Sequence, residues 1–579
     1  MCGSAAQRER SGPSPDTDMI RTKLISNLEK VLIDGQFEDY PVITRLSALR
    51  GERISFQILC ELVVNPAGNN FSQLFTPSIE GALAAYTTVR QVRHVPATNN
   101  GRATPDDDYI TRAPRLLPDV LMPLPYRGAV AVAPYQLVSL WVDIAVPEDA
   151  REIGEGTLTV TLTSRPRDPM TENPNPELYR ESLTVEVIDA ALPKQELLFA
   201  QWFHSDCLAS YYHVEKWSDE HFEIIRRFAA TARKNGITHL FTPLISPPLD
   251  NSYDTRDLQL ADVTVEAGEY RFSWEKLDRF VDIAKEVGFE FLEIGHLFTQ
   301  GGAAYATKVM GTEDGVYHRL FAKDTPCDDP SYVKFLRAML TSFLSHMKER
   351  GDDRRCYFHI SDEPNSEHLA TYMRAKGAVA DLLDGYPIMD ALSHYEFYES
   401  GAVAKPVVLM NFLDEFLAHG VKGLWTYNCL VPDHGYSNRF LAMTLARNRS
   451  ISLMLYKYRI EGFLHWGYNF YNNSGSADCI NPFVDTSSGD IFPSGDAFSV
   501  YPGDGGEPLE SMRLLTFHEA LEDLSAFRLC EELYSREEVI AVLEDEIGGE
   551  IKPSTYLNTP ERMHALRERI NRMIKVKLS

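Results

Sequence analysis

The chain has 579 residues, 44% hydrophobic and 11% aromatic, which is too long for one ordinary domain and predicts two or three. Its 57 Lys+Arg against 83 Asp+Glu leave a net charge of −26, which disfavours nucleic acid and anionic membrane as partners and points to a small neutral or cationic substrate. The cysteines (Cys2, Cys60, Cys207, Cys327, Cys356, Cys429, Cys479 and Cys530) are scattered with no C-x-x-C pair, matching neither a zinc ribbon nor a disulfide framework but reduced thiols in a cytosol.

Met1 to Asp18 is polar and lacks the apolar centre of a secretory signal. No apolar run approaches the roughly 18 residues that cross a bilayer. The expectation is a cytoplasmic protein with a tail over residues 1–30. Residues 31–192 carry period-2 runs such as Glu52–Leu59, Gln136–Ile144 and Thr157–Leu162, separated by turn residues, and read as a β-sandwich. The polar stretch Asn65–Asp119 reads as long loops. Past Pro193 the rhythm becomes strand, helix, strand. Eight strands are predicted: Leu198–Phe203, His239–Thr242, Phe289–Ile294, Cys356–Ile360, Pro387–Leu392, Pro406–Met410, Gly423–Tyr427 and Gly462–Trp466. Helical periodicity fills Asp219–Lys234, Trp274–Val287, Ser331–Lys348, Ser366–Leu383 and Asn438–Tyr458. Gly236 and Gly288 stand where helix C-caps belong. The fold class expected is α/β: a (β/α)8 TIM barrel over residues 193–530, preceded by the β-sandwich and followed by a helical segment over 531–579.

In such a barrel, chemistry gathers at the C-terminal ends of the strands. The fourth strand ends in Asp362-Glu363, stopped by Pro364. Adjacent acids push their pKa values apart, which suits acid/base work. The other strand ends bring His204, Asp206, Thr242, His296, Tyr395, Tyr427, Trp466 and Asn469 to the same mouth. Aromatic faces with amides and acids compose a sugar site. Read singly, Trp425 and Trp466 fit a core as well as a platform, and His359 reads as a satisfied core histidine. His204, Asp206, His296 and His359 follow no metal-ligand spacing, and there is no H-E-x-x-H, so no metal is assigned. Without G-x-G-x-x-G or a Walker motif, no cofactor is assigned either. A carbohydrate-binding protein and a metal-dependent hydrolase are the competing readings.

Several runs are similar to the catalytic domain of glycoside hydrolase family 123: Trp202–Ala209, Thr242–Asp250, Gly295–Gln300, His359–Pro364, Gly495–Gly503 and Ser511–Arg513. They span about Gln201 to Phe527. The resemblance implies a β-N-acetylgalactosaminidase that uses the substrate's 2-acetamido group as nucleophile, acting on an oligosaccharide or glycoconjugate, with a β-glycosidase of different sugar specificity on the same barrel as the alternative; a homodimer is a separate expectation. The resemblance implies that Asp362 orients the acetamide and stabilises the oxazolinium, and that Glu363 is the acid/base, its pKa raised by ionised Asp362. It also implies a sugar pocket with Trp425, Tyr427, Trp466 and Asn469, Tyr395 or Tyr427 bonding the acetamide carbonyl, and Asp496 and Tyr501 on a covering loop, Asn472–Gly506; His204, Asp206, Thr242, His296 and His359 complete the expected substrate-binding set.

Overall fold

The computed structural model describes residues 20–63, 71–101, 106, 108–166, 174, 176–247 and 258–579. The chain forms two compact units: Met1–Arg93 with Met122–Asp189, and His94–Leu121 with Ala190–Ser579.

The first unit is sheet-rich. Arg53–Leu62 pairs antiparallel with Ile20–Ser26 and with Leu137–Ala145. Glu155–Arg165 pairs antiparallel with Gln73–Glu80 and Leu178–Ala191 in a second sheet. Alternate residues Leu158, Val160 and Leu162 turn inward, and Phe56, Ile58, Leu140 and Val142 meet them in one core. Two expectations change here. Ile20–Ser26 lies inside the expected tail, because its apolar positions match the core face of Arg53–Leu62. The stretch read as loops holds the strands Gln73–Glu80, Thr87–Ala97 and Arg115–Pro123, and His94–Leu121 clusters with the second unit.

The second unit is built on eight parallel strands: β1 Leu198–Gln201, β2 His239–Thr242, β3 Phe291–Ile294, β4 Cys356–Phe358, β5 Met389–Leu392, β6 Lys405–Leu409, β7 Trp425–Tyr427 and β8 Gly462–His465. Their order is β4-β3-β2-β1-β8-β7-β6-β5. A bridge between Phe358 and Ile388 joins the two ends, so the barrel is nearly closed. All eight predicted strands are present: β2 keeps its predicted bounds, β6 is shifted by one residue, and the other six are shortened at one end.

Local chemistry places the helices between them. Asp219–Lys234 starts at Ser218, whose hydroxyl accepts from the His221 N–H, and buries Phe222, Ile225, Phe228 and Ala232 at helical spacing. It stops before Gly236, which sits at φ +89° with Leu521 close by, leaving no room for a Cβ. Asn438–Tyr458 is helical only over Leu445–Arg449 and Ile451–Lys457, since Thr444 caps the Arg447 N–H and fixes the start there. Ser366–Leu383 is reduced to a short turn and Leu369–Gly377.

The boundary expected at 530/531 falls inside the helix Met512–Leu533. Buried ion pairs tie this region together: Arg449 to Asp523 at 2.7 Å and Glu519 at 2.8 Å, and Arg567 to Asp523 at 3.5 Å. The C-terminal helices therefore belong to the second unit. Among the described residues no helix is long and apolar enough to cross a membrane.

Candidate active site

β4 ends at Phe358, and the chain runs on through His359, Ile360 and Ser361 to the two acids. At Glu363 the backbone enters the left-handed region, φ +44°, unusual for a residue with a side chain. The Glu363 N–H donates to Ala391 O at 3.0 Å, on the end of β5. A regular strand would point these neighbours to opposite faces, whereas here both line one pocket. Asp362 is 4% exposed, whereas Glu363 is open to solvent.

The two carboxyls have different partners. Gln300 Nε2 donates to Asp362 Oδ2 at 2.9 Å. Tyr427, on β7, donates its hydroxyl to Glu363 Oε1 at 2.7 Å. Burial first, and the Glu363 charge second, hold the Asp362 carboxyl well above the usual carboxylate range; the positive charge of His359 pulls the other way. The sequence reading placed an upward shift on Glu363. The structure places one on Asp362, because Asp362 is the member of the pair removed from water. Burial also keeps the Tyr427 hydroxyl protonated far into the alkaline range, so it stays a donor.

The pair faces a pocket of about 270 Å³ lined by Trp202, Gln300, Asp362, Glu363, Ala391, Tyr427, Cys429, Leu430, Leu464, Trp466, Phe470, Ile491 and Phe492. Apart from Gln300, Asp362 and Glu363 the lining is apolar or aromatic. Trp202 is fixed by its Nε1–H, which donates to Glu293 Oε1 at 2.6 Å. Trp466 donates Nε1–H to Asp496 Oδ2 at 3.1 Å and packs on Phe492, ring centres 4.8 Å apart. Ile491 and Phe492 come from the expected cover, Asn472–Gly506.

Of the residues proposed for the sugar pocket, Tyr427 and Trp466 line it. The others are not among its lining residues, and most are held by hydrogen bonds or ring contacts within the protein. His204 and Asn469 bind each other through His204 N–H to Asn469 Oδ1, 2.8 Å, and His204 Nε2 lies 2.8 Å from Trp466 O. Asp206 is buried in the first turn of Ser205–Tyr212. Thr242 donates to Leu240 O. His296 is buried with its ring edge-on to Trp202. His359 is fully buried between Glu293 and Asp390. Tyr395 stacks on His419, ring centres 4.1 Å apart. Trp425 is buried inside the barrel against Gly462. Asp496 supports Trp466 from behind, and Tyr501 donates to Asp119 Oδ2 at 2.7 Å. The expected run Thr242–Asp250 extends past residue 247, outside the described residues. Among the described residues no group of three His, Cys, Asp or Glu could hold a metal ion.

Sequence reasoning missed Trp202, Gln300, Cys429, Leu430, Phe470, Ile491 and Phe492 as pocket residues. Trp202 and Gln300 stood within motifs already singled out, one and six residues beyond the ends of β1 and β3. The apolar residues gave no signal, since nothing in a sequence separates a pocket wall from a core.

The catalytic-domain model of glycoside hydrolase family 123 matches residues 202–530. Among solved structures, the chain is similar to a family 123 glycoside hydrolase from Clostridium perfringens studied for glycolipid glycan hydrolysis. The two share 14% identity over 96% of this chain and 97% of that one, with a TM-score of 0.70, which shows a common fold. A β-glucuronidase from Bifidobacterium dentium is far less similar: 9% identity over 86% of this chain and 66% of that one, TM-score 0.30. No curated protein matches by sequence. The family match covers more than half of the chain and holds the whole pocket with its two acids, and so the protein belongs to glycoside hydrolase family 123 and is a glycoside hydrolase.

Proposed function

We propose that this hydrolase removes terminal β-linked N-acetylgalactosamine with retention of configuration, using the substrate's 2-acetamido group as nucleophile. The observation that carries the reading is that the only acids lining the pocket among the described residues are the neighbours Asp362 and Glu363. A retaining enzyme with its own nucleophile sets two carboxyls about 5–5.5 Å apart across the scissile bond, and an inverting one about 6.5–9.5 Å, on opposite sides of the sugar. Two residues leaving one strand end are poorly placed for either task. They suit a reaction in which only one carboxyl transfers protons.

In the first step the acetamide oxygen attacks C1 while Glu363 gives its proton to the leaving oxygen. In the second, Glu363 takes a proton from the water that attacks C1 and opens the oxazolinium. Asp362 accepts the acetamide N–H throughout. Its carboxylate is costly in the buried site until positive charge develops on the acetamide, so this interaction strengthens toward the transition state. Trp202 and Trp466 offer flat apolar faces to the sugar ring, and Tyr427 steadies Glu363. Oligosaccharides or glycoconjugates, including glycolipid glycans such as the C. perfringens enzyme was studied on, are the proposed substrate class, met in the cytoplasm.

The test is a panel of aryl β-glycosides with and without the 2-acetamido group, run with the wild type, Asp362→Asn and Glu363→Gln. Expected are turnover of N-acetylgalactosaminides alone, inhibition by a sugar thiazoline, and loss of turnover by orders of magnitude in both variants. Equal turnover of a glycoside lacking the acetamido group, or near-normal activity in Glu363→Gln, would overturn the reading.

A further inference from the structure

Joined to Trp202 of the pocket and to the backbone just before Asp362 are three titratable side chains that the chemistry above does not use. Glu293 on β3, His359 after β4 and Asp390 on β5 are each fully buried. His359 Nε2 is 2.8 Å from Glu293 Oε1, and its Nδ1 is 3.2 Å from Asp390 Oδ1. Burial works against the imidazole's proton, but the hydrogen bonds and charges of Asp390 and Glu293 outweigh it and push the His359 pKa up to about 9; burial also holds the Asp390 carboxyl above its usual range, against the pull of His359.

The outer arms of this row reach both halves of the site. Glu293 Oε1 also accepts the indole N–H of Trp202, which lines the pocket. Asp390 accepts the peptide N–H groups of Ile360 at 3.0 Å and Ser361 at 3.4 Å, the two residues just before Asp362. It further accepts the Tyr372 hydroxyl at 2.5 Å. A side chain from β5 thus takes over the hydrogen bonds of β4 at the point where regular pairing ends and the acids begin.

We propose that Glu293, His359 and Asp390 are positioning residues for the reaction: the imidazolium clamped between two carboxylates fixes Trp202 on one side and the Ile360–Ser361 backbone on the other, and so sets where Asp362 and Glu363 stand. The proposal rests on the reading of Asp362 and Glu363 as the reacting pair. The titratable groups around His359 are Glu293 and His296 from the β3 end, Asp390 from β5, Tyr372 from the helix Leu369–Gly377, His239 from β2, and Asp362. Of these, Glu293 and Asp390 are the two that touch the ring nitrogens.

The decisive variant is Asp390→Asn, which keeps an oxygen for the backbone N–H groups but removes one of the two charges that hold the imidazolium. A displaced catalytic group costs up to roughly 100-fold in rate, so kcat should fall roughly 10- to 100-fold. KM should stay within about threefold, because the sugar-facing walls remain. Losing a carboxylate makes deprotonation of His359 easier, so the alkaline limb of the kcat profile should move to lower pH. The proposal is overturned if Asp390→Asn keeps the wild-type kcat and pH profile, or if its loss of activity matches a loss of thiazoline-binding sites with kcat per site unchanged. Should Asp390→Asn fail to fold, Tyr372→Phe removes one donor to the same carboxylate. It should lower kcat about threefold at constant KM, and an unchanged kcat would overturn the proposal. If Glu363→Gln is active, the reading of the pair fails; if Glu363→Gln is dead and Asp390→Asn is normal, only the positioning role fails.

Discussion

Replacing Tyr427 by Phe separates two roles for one hydroxyl. The group is buried in the pocket wall and donates to Glu363 Oε1 at 2.7 Å. The resemblance to family 123 placed this tyrosine, or Tyr395, on the substrate's acetamide carbonyl; Tyr395 is engaged with His419 elsewhere. The substitution keeps the ring and removes one hydrogen bond to a carboxylate. Such bonds contribute about 1.5–3 kcal/mol. At about 1.36 kcal/mol per decade, full expression of that loss in the transition state lowers kcat/KM by roughly 10- to 150-fold. The leaving group then decides the role. A nitrophenolate departs with little help from an acid, whereas an alcohol needs a proton. If Tyr427 orients the acid, the loss is several times larger for an alkyl than for a nitrophenyl N-acetylgalactosaminide. The assay is kcat/KM for both substrates with wild type and Tyr427→Phe. An equal loss for both assigns the hydroxyl to the acetamide instead, and a loss below about threefold refutes both roles.

Asp362→Asn should destroy activity and stabilise the fold. The folded pKa of Asp362 is raised, so the native state binds more protons than the unfolded chain above pH 3.8, and stability falls as pH rises through the folded pKa. At neutral pH the Asn variant should melt at or above the wild type, and the gap should close as the pH approaches 4; a lower melting temperature at pH 7 contradicts the burial argument. Gly462→Ala would put a Cβ 2.1 Å from the Trp425 ring, between two fixed barrel strands. Thermal melting should report a loss at the upper end of the ~1–3 kcal/mol typical of overpacking. Arg513 is fully buried and paired to Asp119 at 2.8 Å. Asp119→Ala leaves that guanidinium uncompensated, and chemical denaturation should show a loss of about 3–5 kcal/mol; less than about 1 kcal/mol would mean that the surrounding carbonyls suffice for Arg513.

The barrel was legible because its strands are short apolar runs bounded by capped helices, and each run survives as a parallel strand from β1 to β8. The failures were of other kinds. Ile20–Ser26 alternates too weakly to be seen without its partner, and its role comes from pairing with Arg53–Leu62. The helix expected from Asn438 is apolar enough to look helical, but its start is decided by one threonine cap at Thr444. Among site residues, Asp362, Glu363, Tyr427 and Trp466 were found from the strand ends, whereas Trp202, also at a strand end, and the residues on the return loops were not. Ile491 and Phe492 reach the pocket from a segment whose sequence reads only as loop. Most polar residues assigned to the sugar instead bind other groups of the protein, as His204 does Asn469 and Tyr501 does Asp119, because buried polar groups at the barrel mouth need partners of their own.

Strand spacing puts two adjacent acids on opposite faces but does not say which of them is buried. The fold distinguishes them by one backbone angle. At φ +44° Glu363 turns into an exposed position lining the pocket, its carboxyl accepting from Tyr427, while Asp362 beside it is buried. The conformation is held by the Glu363 N–H on Ala391 and by Asp390 on the two preceding peptides, all on β5. An open carboxyl can exchange protons with a leaving group and with water. A buried one resists ionising until a cation arrives beside it. The division of labour between proton carrier and charge stabiliser is therefore set less by residue type than by β5, the strand that holds the turn.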